Sequence, residues 1–302
     1  MARRRDVIIG VIIAMGGLMA LGMFGLMLFG MAAGTSDGFE FGGISGNSIG
    51  VVEVYGVIDD DMARQSIRQI ERFTDNSSIQ ALVIHVNSPG GGVAPSQEIY
   101  DAILRAKEEK PIVISMASVA ASGGYYIACA GDRIIANPGS LTGSIGVIFQ
   151  FHTFQDLMGK VGIGTETIKS GELKDVGSYS RPMTDKEREM LNSVVQSTYE
   201  QFVDVVATGR GKEKSAVYPL ADGSVYTGLQ AYNLGLIDTL GGLHEAVNLA
   251  AELAEMTGEP KIVRPTHREK ITIFDLLGQT LSKVNSAVDQ KLAGPSLLYL
   301  YQ

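Results

Sequence analysis

The chain has 302 residues, is 45% apolar, contains 37 glycines and carries a formal charge of −8. This composition is typical of a compact fold with many tight turns and excludes a disordered chain. Because Arg3, Arg4 and Arg5 supply positive charge at the start, the rest is more acidic than the total and has no basic stripe for nucleic acid. The single cysteine, Cys129, excludes internal disulfides and cysteine-rich metal sites, and we expect a small buried side chain there.

The first predicted element is a membrane span, because no charged residue occurs from Val7 to Ser36. This length exceeds the roughly 20 apolar residues that cross a bilayer. A cleavable signal peptide is the competing interpretation, but its apolar region is normally only about 7 to 15 residues long. The arginines before the span predict a cytoplasmic N-terminus and a domain outside the membrane. We therefore expect residues 1–36 to form the start and anchor, and the Gly- and Ser-rich residues 37–50 to form a flexible stalk.

Residues 51–260 are expected to form the main domain, in which short apolar stretches alternate with helical patterns. Strands are predicted at 51–58, 81–86, 112–116, 133–136, 144–149 and 165–168, and helices at 62–73, 96–107, 122–130, 184–207, 229–234 and 244–256. This alternation indicates crossover connections, a largely parallel sheet and the α/β class. Residues 261–302 are expected to form a C-terminal extension, amphipathic over 271–292, with an apolar tail that could pack on a neighbouring subunit.

A serine lies between small residues where a predicted strand passes into a helix, in Ala120-Ala121-Ser122-Gly123-Gly124-Tyr125. The small neighbours leave room for a substrate carbonyl, and the N–H of Gly123 lies at a positively polarised helix N-terminus that suits an oxyanion. Ser122 is therefore a candidate nucleophile, although the same composition also occurs where helices pack tightly. The pattern G-x-S-x-G at residues 46–50 is not assigned a catalytic role, because it precedes a strand instead of following one.

A glycine-rich loop, residues 87–92, follows the predicted strand 81–86. Its three consecutive glycines leave backbone N–H groups uncovered, so the loop can stabilise an oxyanion or bind an extended peptide; an ordinary tight turn is the alternative. Phosphate binding is not favoured, because the lysine and the Ser/Thr of a P-loop do not follow the glycines.

A serine nucleophile needs a base, and residues 167–178 offer Lys169 and Lys174 among glycines and serines. A lysine can replace histidine when burial leaves its amine neutral, whereas an exposed surface lysine is the ordinary alternative. The four histidines give a Ser-His-Asp triad little support, because they lie in stretches without other catalytic signals: His85, His152, His244 and His267.

Five motifs, in order along the chain, resemble those of the signal peptide peptidase A family: residues 87–92, 120–125, 141–146, 221–226 and 234–238. The resemblance covers residues 50–255. It implies a Clp protease/crotonase-like α/β fold with repeated ββα-type units and a membrane-bound serine peptidase with a Ser/Lys dyad. Carried over by motif, Ser122 is the nucleophile and Lys174 the general base, with Lys169 as the fallback. Ser144 would orient the lysine amine, and the N–H groups of Gly91 and Gly123 would form the oxyanion hole. The resemblance implies no metal or organic cofactor.

The single copy of the motif set resembles the short form of the family. In the long form, the serine and lysine motifs lie in different repeats, so we expect a homo-oligomeric ring here, with Ser122 and Lys174 of each site supplied by adjacent chains. The expected substrates are remnant signal peptides and other apolar peptides at the outer face of the cytoplasmic membrane. Two alternatives remain: a crotonase-like acyl-CoA enzyme, whose fold also holds an oxyanion with backbone N–H groups, and a catalytically silent membrane scaffold.

Overall fold

A computed structural model describes residues 47–265. The strands within that range are β1 (Ser48–Tyr55), β2 (Ile79–Ser88), β3 (Ile112–Ala121), β4 (Arg133–Ala136), β5 (Leu141–Gly143), β6 (Val225–Thr227), β7 (Thr239–Leu240) and β8 (Lys261–Val263). The helices are α1 (Asp60–Asp75), α2 (Val93–Lys107), α3 (Gly123–Ala128), α4 (Gln155–Lys160), α5 (Asp185–Arg210), α6 (Lys214–Val217), α7 (Gly228–Asn233) and α8 (Leu243–Leu253). Two 3-10 turns span Glu172–Asp175 and Tyr218–Leu220.

The strands form one open sheet in the order β6-β5-β3-β2-β1-β8, with β4 paired to β3 and β7. Strand β3 has two neighbours on one side, because its first half pairs with β4 and its second half with β5. All of these pairings are parallel except that between β5 and β6. The predicted α/β class with a largely parallel sheet is confirmed.

Both faces of the central strands are covered, which explains why their sequences are continuous apolar runs. In β2, Leu82 and Ile84 pack into a large core under α1, α2, α3 and α5, whereas Ala81 and Val83 contact the apolar face of α8. All four side chains are fully buried. At about 25 cal/mol per Å² of apolar surface removed from water, such burial is the main stabilising contribution to the sheet.

Helix α5 begins with the capping box that its sequence predicts. The Thr184 hydroxyl accepts the Glu187 N–H at 3.3 Å, and the Glu187 carboxylate accepts the Thr184 N–H at 2.8 Å. These bonds satisfy two N–H groups that lack intrahelical partners at a helix start. The helix ends at Gly211, whose φ of 59° is a left-handed conformation favoured by glycine.

Two predicted strands, 144–149 and 165–168, are wrong, because both segments are irregular. Ile145 is buried, but the other apolar residues that suggested strands are partly or largely exposed; Ile148 is 84% exposed and Ile168 is 96% exposed. Strand β1 also begins earlier than predicted, at Ser48, and β8 lies beyond residue 260. The first residues of β1 pair with β2 on one side and β8 on the other, and local sequence does not reveal such distant partners.

In residues 47–265, no helix combines the length and the apolar character that crossing a bilayer requires. The predicted span at residues 7–36 and the predicted amphipathic segment at 271–292 both lie outside the described residues.

Candidate active site

Ser122 lies at the junction of β3 and α3 in an unusual backbone conformation. Its φ is 52° and its ψ is −119°, in a region that non-glycine residues rarely adopt. Such a conformation costs about 1–3 kcal/mol and persists only where the surroundings impose it. Here the Ser122 N–H donates to the Gly143 carbonyl at 2.9 Å, while the Ser122 carbonyl accepts the N–H groups of Tyr125 and Tyr126. The sharp turn lifts the side chain out of the strand, and the residue is half-buried.

The glycine-rich loop lies directly against this turn. A Cβ on Gly90 would lie 2.7 Å from the Gly123 nitrogen, and one on Gly123 would lie 3.3 Å from the Gly91 nitrogen. Ile58 bonds to the Gly90 carbonyl and the Gly92 N–H, so this parallel pairing does not use the N–H of the intervening Gly91. The N–H of Gly123 lies in the first turn of α3, where helix donors have no intrahelical partner. Gly91 and Gly123 therefore line the same cleft as Ser122, and each contributes a backbone N–H.

A small cleft of about 120 Å³ opens beside Ser122, Gly91 and Gly123. Its walls are mainly apolar, and they include Val93, Tyr126, Ile148 and Phe202. Tyr126 packs between Tyr100 and Phe202, with ring centroids 5.3 and 5.2 Å away. Burial raises the pKa of Tyr126 to about 12, so its hydroxyl stays neutral at physiological pH. The cleft is smaller than ordinary ligand sites of about 300–1,000 Å³, and it suits one apolar side chain.

Ser144 is next to Ser122 across the sheet. The β3–β5 ladder ends with Ala121 paired to Gly143, and Ser122 and Ser144 are the residues that follow these two. Ser144 also has a positive φ, of 51°, and its N–H donates to the Ser224 carbonyl at 2.7 Å. Ser144 is half-buried and follows β5 at the edge of the sheet where Ser122 follows β3, but it does not line the cleft.

The two candidate lysines lie elsewhere on the chain. Lys174 is exposed on the 3-10 turn Glu172–Asp175, where it lines a shallow surface depression with Lys186, and it does not line the Ser122 cleft. Lys169 is also exposed, but its Nζ donates to Asp175 Oδ1 at 2.6 Å and to the Glu172 carbonyl at 2.8 Å. A single chain thus brings Ser122, Gly91 and Gly123 to one cleft, and neither Ser144 nor either lysine lines it.

Sequence comparisons place this arrangement among known peptidases. A model of peptidase family S49 matches residues 105–257, and a model of Clp protease matches residues 48–140. A putative protease of Synechocystis sp. is 39% identical over 203 residues, which are 67% of this chain and 73% of that protein. The chain belongs to peptidase family S49.

Other relatives are consistent with this family. A putative signal peptide peptidase SppA of Enterococcus faecium is 36% identical over 192 residues, 63% of this chain and 56% of that protein. Protease 4 of Haemophilus influenzae is 34% identical over 220 residues, 68% of this chain but only 35% of that protein. The S49 chain is a serine peptidase, and its resemblance to the signal peptide peptidase A family is confirmed. The Clp protease match agrees with the open α/β sheet.

Among residues 47–265 of this S49 chain, no histidine lines the cleft. Nδ1 of the half-buried His85 lies 3.1 Å from the Ser115 hydroxyl, and its ring packs near Tyr55. Burial lowers the pKa of His85. His152 and His244 are exposed, and His267 lies outside the described residues. Cys129 is buried as predicted, and burial raises the pKa of its thiol to about 12.

Sequence reasoning missed two features of this S49 site. It did not identify the cleft walls, although Tyr126 lies one helical turn after Ser122 and could have been found by that spacing. It also missed the ion pairs next to Lys174 in the chain. Besides capping α5, Glu187 binds two nitrogens of Arg181, which binds Asp175 as well.

Proposed function

We propose that the chain is a membrane-anchored serine endopeptidase with a Ser122/Lys174 dyad, which degrades remnant signal peptides and other apolar peptides at the outer face of the cytoplasmic membrane. The observation that carries this proposal is the strained backbone of Ser122 beside the two glycine N–H groups and the apolar cleft. Nucleophilic serines are held on such turns because the side chain must project beyond the sheet toward the carbonyl.

The proposed reaction proceeds through an acyl-enzyme. Ser122 Oγ bonds to the peptide carbonyl carbon while its proton passes to the neutral Lys174 amine. The resulting oxyanion accepts hydrogen bonds from the Gly91 and Gly123 N–H groups, an interaction that typically lowers the barrier by about 3 kcal/mol per donor. The C–N bond then breaks as the ammonium returns the proton to the leaving amine. Water, deprotonated by the same amine, releases the acyl group.

The cleft supports a preference for apolar peptides. A substrate whose carbonyl carbon faces Ser122 would place a neighbouring side chain against Val93, Tyr126 and Phe202. Removing that side chain from water is favourable by about 1.5–3 kcal/mol when it is large and aliphatic. Hydrophobic signal sequences supply such side chains in abundance.

We propose that Lys174 reaches the cleft of an adjacent subunit in a homo-oligomeric ring, with Ser144 orienting its amine. Two observations support this assembly. Lys174 lies outside the cleft of its own chain, and residues 147–168 expose several large apolar side chains: Ile148, Phe149, Phe154, Leu157, Val161, Ile163 and Ile168. Apolar surface of this kind is typical of protein interfaces. A neighbour that covered it would also exclude water from the amine.

The proposed organisation follows from these assignments. Residues 1–36 form the cytoplasmic start and the anchor, residues 37–50 form a stalk whose last residues enter β1, and residues 51–260 form a peptidase domain with a Clp protease/crotonase-like fold of repeated ββα-type units. Residues 261–302 form the C-terminal extension, of which Lys261–Val263 joins the sheet. The Arg cluster and the uncharged segment before residue 37 support the anchor.

Labelling with a fluorophosphonate tests the proposal and separates it from its rivals. The full-length protein should be labelled at Ser122, the Ser122→Ala variant should not, and labelling should block cleavage of an apolar fluorogenic peptide. Turnover of an acyl-CoA thioester without peptide cleavage would favour the crotonase-like enzyme. Absence of both labelling and turnover in the assembled protein would favour the scaffold.

A further inference from the structure

One guanidinium, that of Arg181, lies between two carboxylates near Lys174. It binds Asp175 through Nε at 3.0 Å and through a terminal nitrogen at 2.7 Å. On its other side it binds both carboxylate oxygens of Glu187, one of them at 2.9 Å. The Glu187 side chain is 1% exposed and that of Asp175 is 16% exposed. Bidentate pairs of this kind fix geometry as well as charge.

These bonds join the element that carries Lys174 to a long helix. Asp175 ends the 3-10 turn and directly follows Lys174, whereas Glu187 belongs to the first turn of α5 and completes the cap with Thr184. The Arg181 NH1 group also donates to the Pro182 carbonyl at 3.0 Å, which fixes the loop between them. The direction in which the turn presents Lys174 therefore depends on Arg181.

The same cluster contains the charges on Asp175, the residue that follows Lys174 on the 3-10 turn. Hydrogen bonds from Arg181 and Lys169 hold the pKa of Asp175 well below its usual range, and Arg181 lowers the pKa of Glu187 to about 2. Both groups are therefore anionic, and two cations offset them. The remaining charged groups that face the turn, Glu172 on the turn and Lys186 on α5, form an ion pair with each other. Without Arg181, only the charge of Lys169 would offset the carboxylates of Asp175 and Glu187. The negative field of the two carboxylates would then favour the ammonium form of Lys174 over the neutral amine.

We propose that Arg181 is a positioning residue for the general base: it fixes the Lys174 turn to α5 and offsets the negative charge of Asp175, the residue that follows Lys174. This inference rests on the proposed role of Lys174. It also assigns different roles to the two lysines, because Lys169 is a partner of Asp175 within this cluster.

The test is the pH dependence of kcat/KM for an apolar fluorogenic peptide, measured on the assembled full-length protein. An amine acts as a base only when unprotonated, so kcat/KM should fall as the pH is lowered. This falling part of the pH profile is the acid limb. Arg181→Gln removes a positive charge and should move this acid limb up by about half a pH unit. Asp175→Asn removes a negative charge and should move it down by about as much, and the double variant should return it close to the native position.

Two further variants separate charge from geometry. Arg181→Lys keeps the charge but lacks the planar fork, so the acid limb should stay in place while kcat/KM falls about tenfold or more. Arg188→Gln is the matched control, because it removes the same charge from the exposed neighbour of Glu187 and should leave the limb unmoved. Thermal unfolding of each variant identifies those that fail to fold. If Arg181→Gln does not fold, the downward shift of the acid limb in Asp175→Asn tests the inference.

The outcomes distinguish this inference from the function on which it rests. Opposite shifts in Arg181→Gln and Asp175→Asn support it, whereas an unmoved limb in Asp175→Asn overturns it, even where stability falls. If Lys174→Ala is inactive and the limbs do not move, the dyad stands and only the role of Arg181 is wrong. If Lys174→Ala keeps full activity, the assignment of the base fails and this inference fails with it.

Discussion

At the scale of single residues, the proposed chemistry depends on backbone conformation as much as on the serine hydroxyl. Ser122 and Ser144 both have positive φ, and each donates its N–H to a carbonyl on a neighbouring strand or loop. Tertiary structure imposes these conformations, because serine does not favour a positive φ. The sequence identifies Ser122 and the glycines around it as candidate site residues. The strained backbone of Ser122 becomes evident only in the folded chain, where β5 lies beside β3.

Replacing either proposed dyad residue with alanine should abolish peptide cleavage. Ser122→Ala removes the nucleophile and Lys174→Ala removes the base, so kcat should fall by a factor of about 10⁴ or more in each. Lys169→Ala should keep most of the activity, because that amine is occupied by Asp175 and the Glu172 carbonyl. Steady-state cleavage with a matched circular dichroism spectrum provides the measurement. An inactive Lys169→Ala beside an active Lys174→Ala would reverse the assignment.

Gly90→Ala should damage the proposed oxyanion hole. Gly90 has a φ of 102°, and an added methyl would meet the Gly123 nitrogen at 2.7 Å and the Ser122 Cβ at 2.9 Å. The two turns must separate, so we expect kcat to fall about 100-fold or more together with a lower melting temperature. Gly139→Ala is the matched control, because nothing lies within 4 Å of its added methyl. Equal activity of both variants would contradict close contact between the turns.

At the scale of elements, the sheet places two loops beside one cleft. Strands β2 and β3 are adjacent and parallel, so the glycine-rich loop after β2 and the Ser122 turn after β3 lie at the same edge. Helix α5 then adds Thr198, Gln201 and Phe202 to the cleft from a distant part of the chain. Local motifs thus specify the catalytic edge, whereas the wall that selects substrates depends on long-range packing.

Filling the cleft from α2 should change substrate preference. Val93→Phe places a larger ring at the cleft, where it competes with an apolar substrate side chain. We expect kcat/KM to fall about tenfold or more for peptides with a large side chain before the cleaved bond, and less for alanine there. Val57→Phe is the control, since Val57 is similarly exposed but does not line the cleft. An equal loss for both peptide types would argue against a specificity pocket here.

The same scale explains which predictions from sequence succeed. Helices with their own caps, such as α5 with Thr184 and Glu187, and the buried strand β2 are predicted within a few residues, whereas the strand predicted at 112–116 covers only the first half of β3. The segments 144–149 and 165–168 are not strands; Ile145 is buried, but Ile148, Phe149 and Ile168 are exposed in the single chain. Short pairings such as β8 with β1 also escape prediction, since only three residues of each take part. The catalytic motifs can be recognised from the sequence because the backbone geometry at these positions needs glycine and serine.

At the scale of the whole molecule, the peptidase domain should lie outside the cytoplasm. The arginines precede the uncharged segment, so a protease added to spheroplasts should digest the domain after residue 37. Inverted vesicles should protect it, and a cytoplasmic marker protein should show the opposite pattern. Digestion in inverted vesicles alone would reverse the proposed topology.

Subunit mixing measures most directly whether each active site combines Ser122 of one chain with Lys174 of another. The inactive variants Ser122→Ala and Lys174→Ala are mixed under conditions that allow subunit exchange, and differently tagged chains verify that mixed rings form. In a mixed ring, interfaces that join an intact serine to an intact lysine should restore activity. Random mixing of equal amounts gives one such interface in four, so we expect about a quarter of the native activity. Mixed rings that remain inactive would contradict a dyad shared between chains.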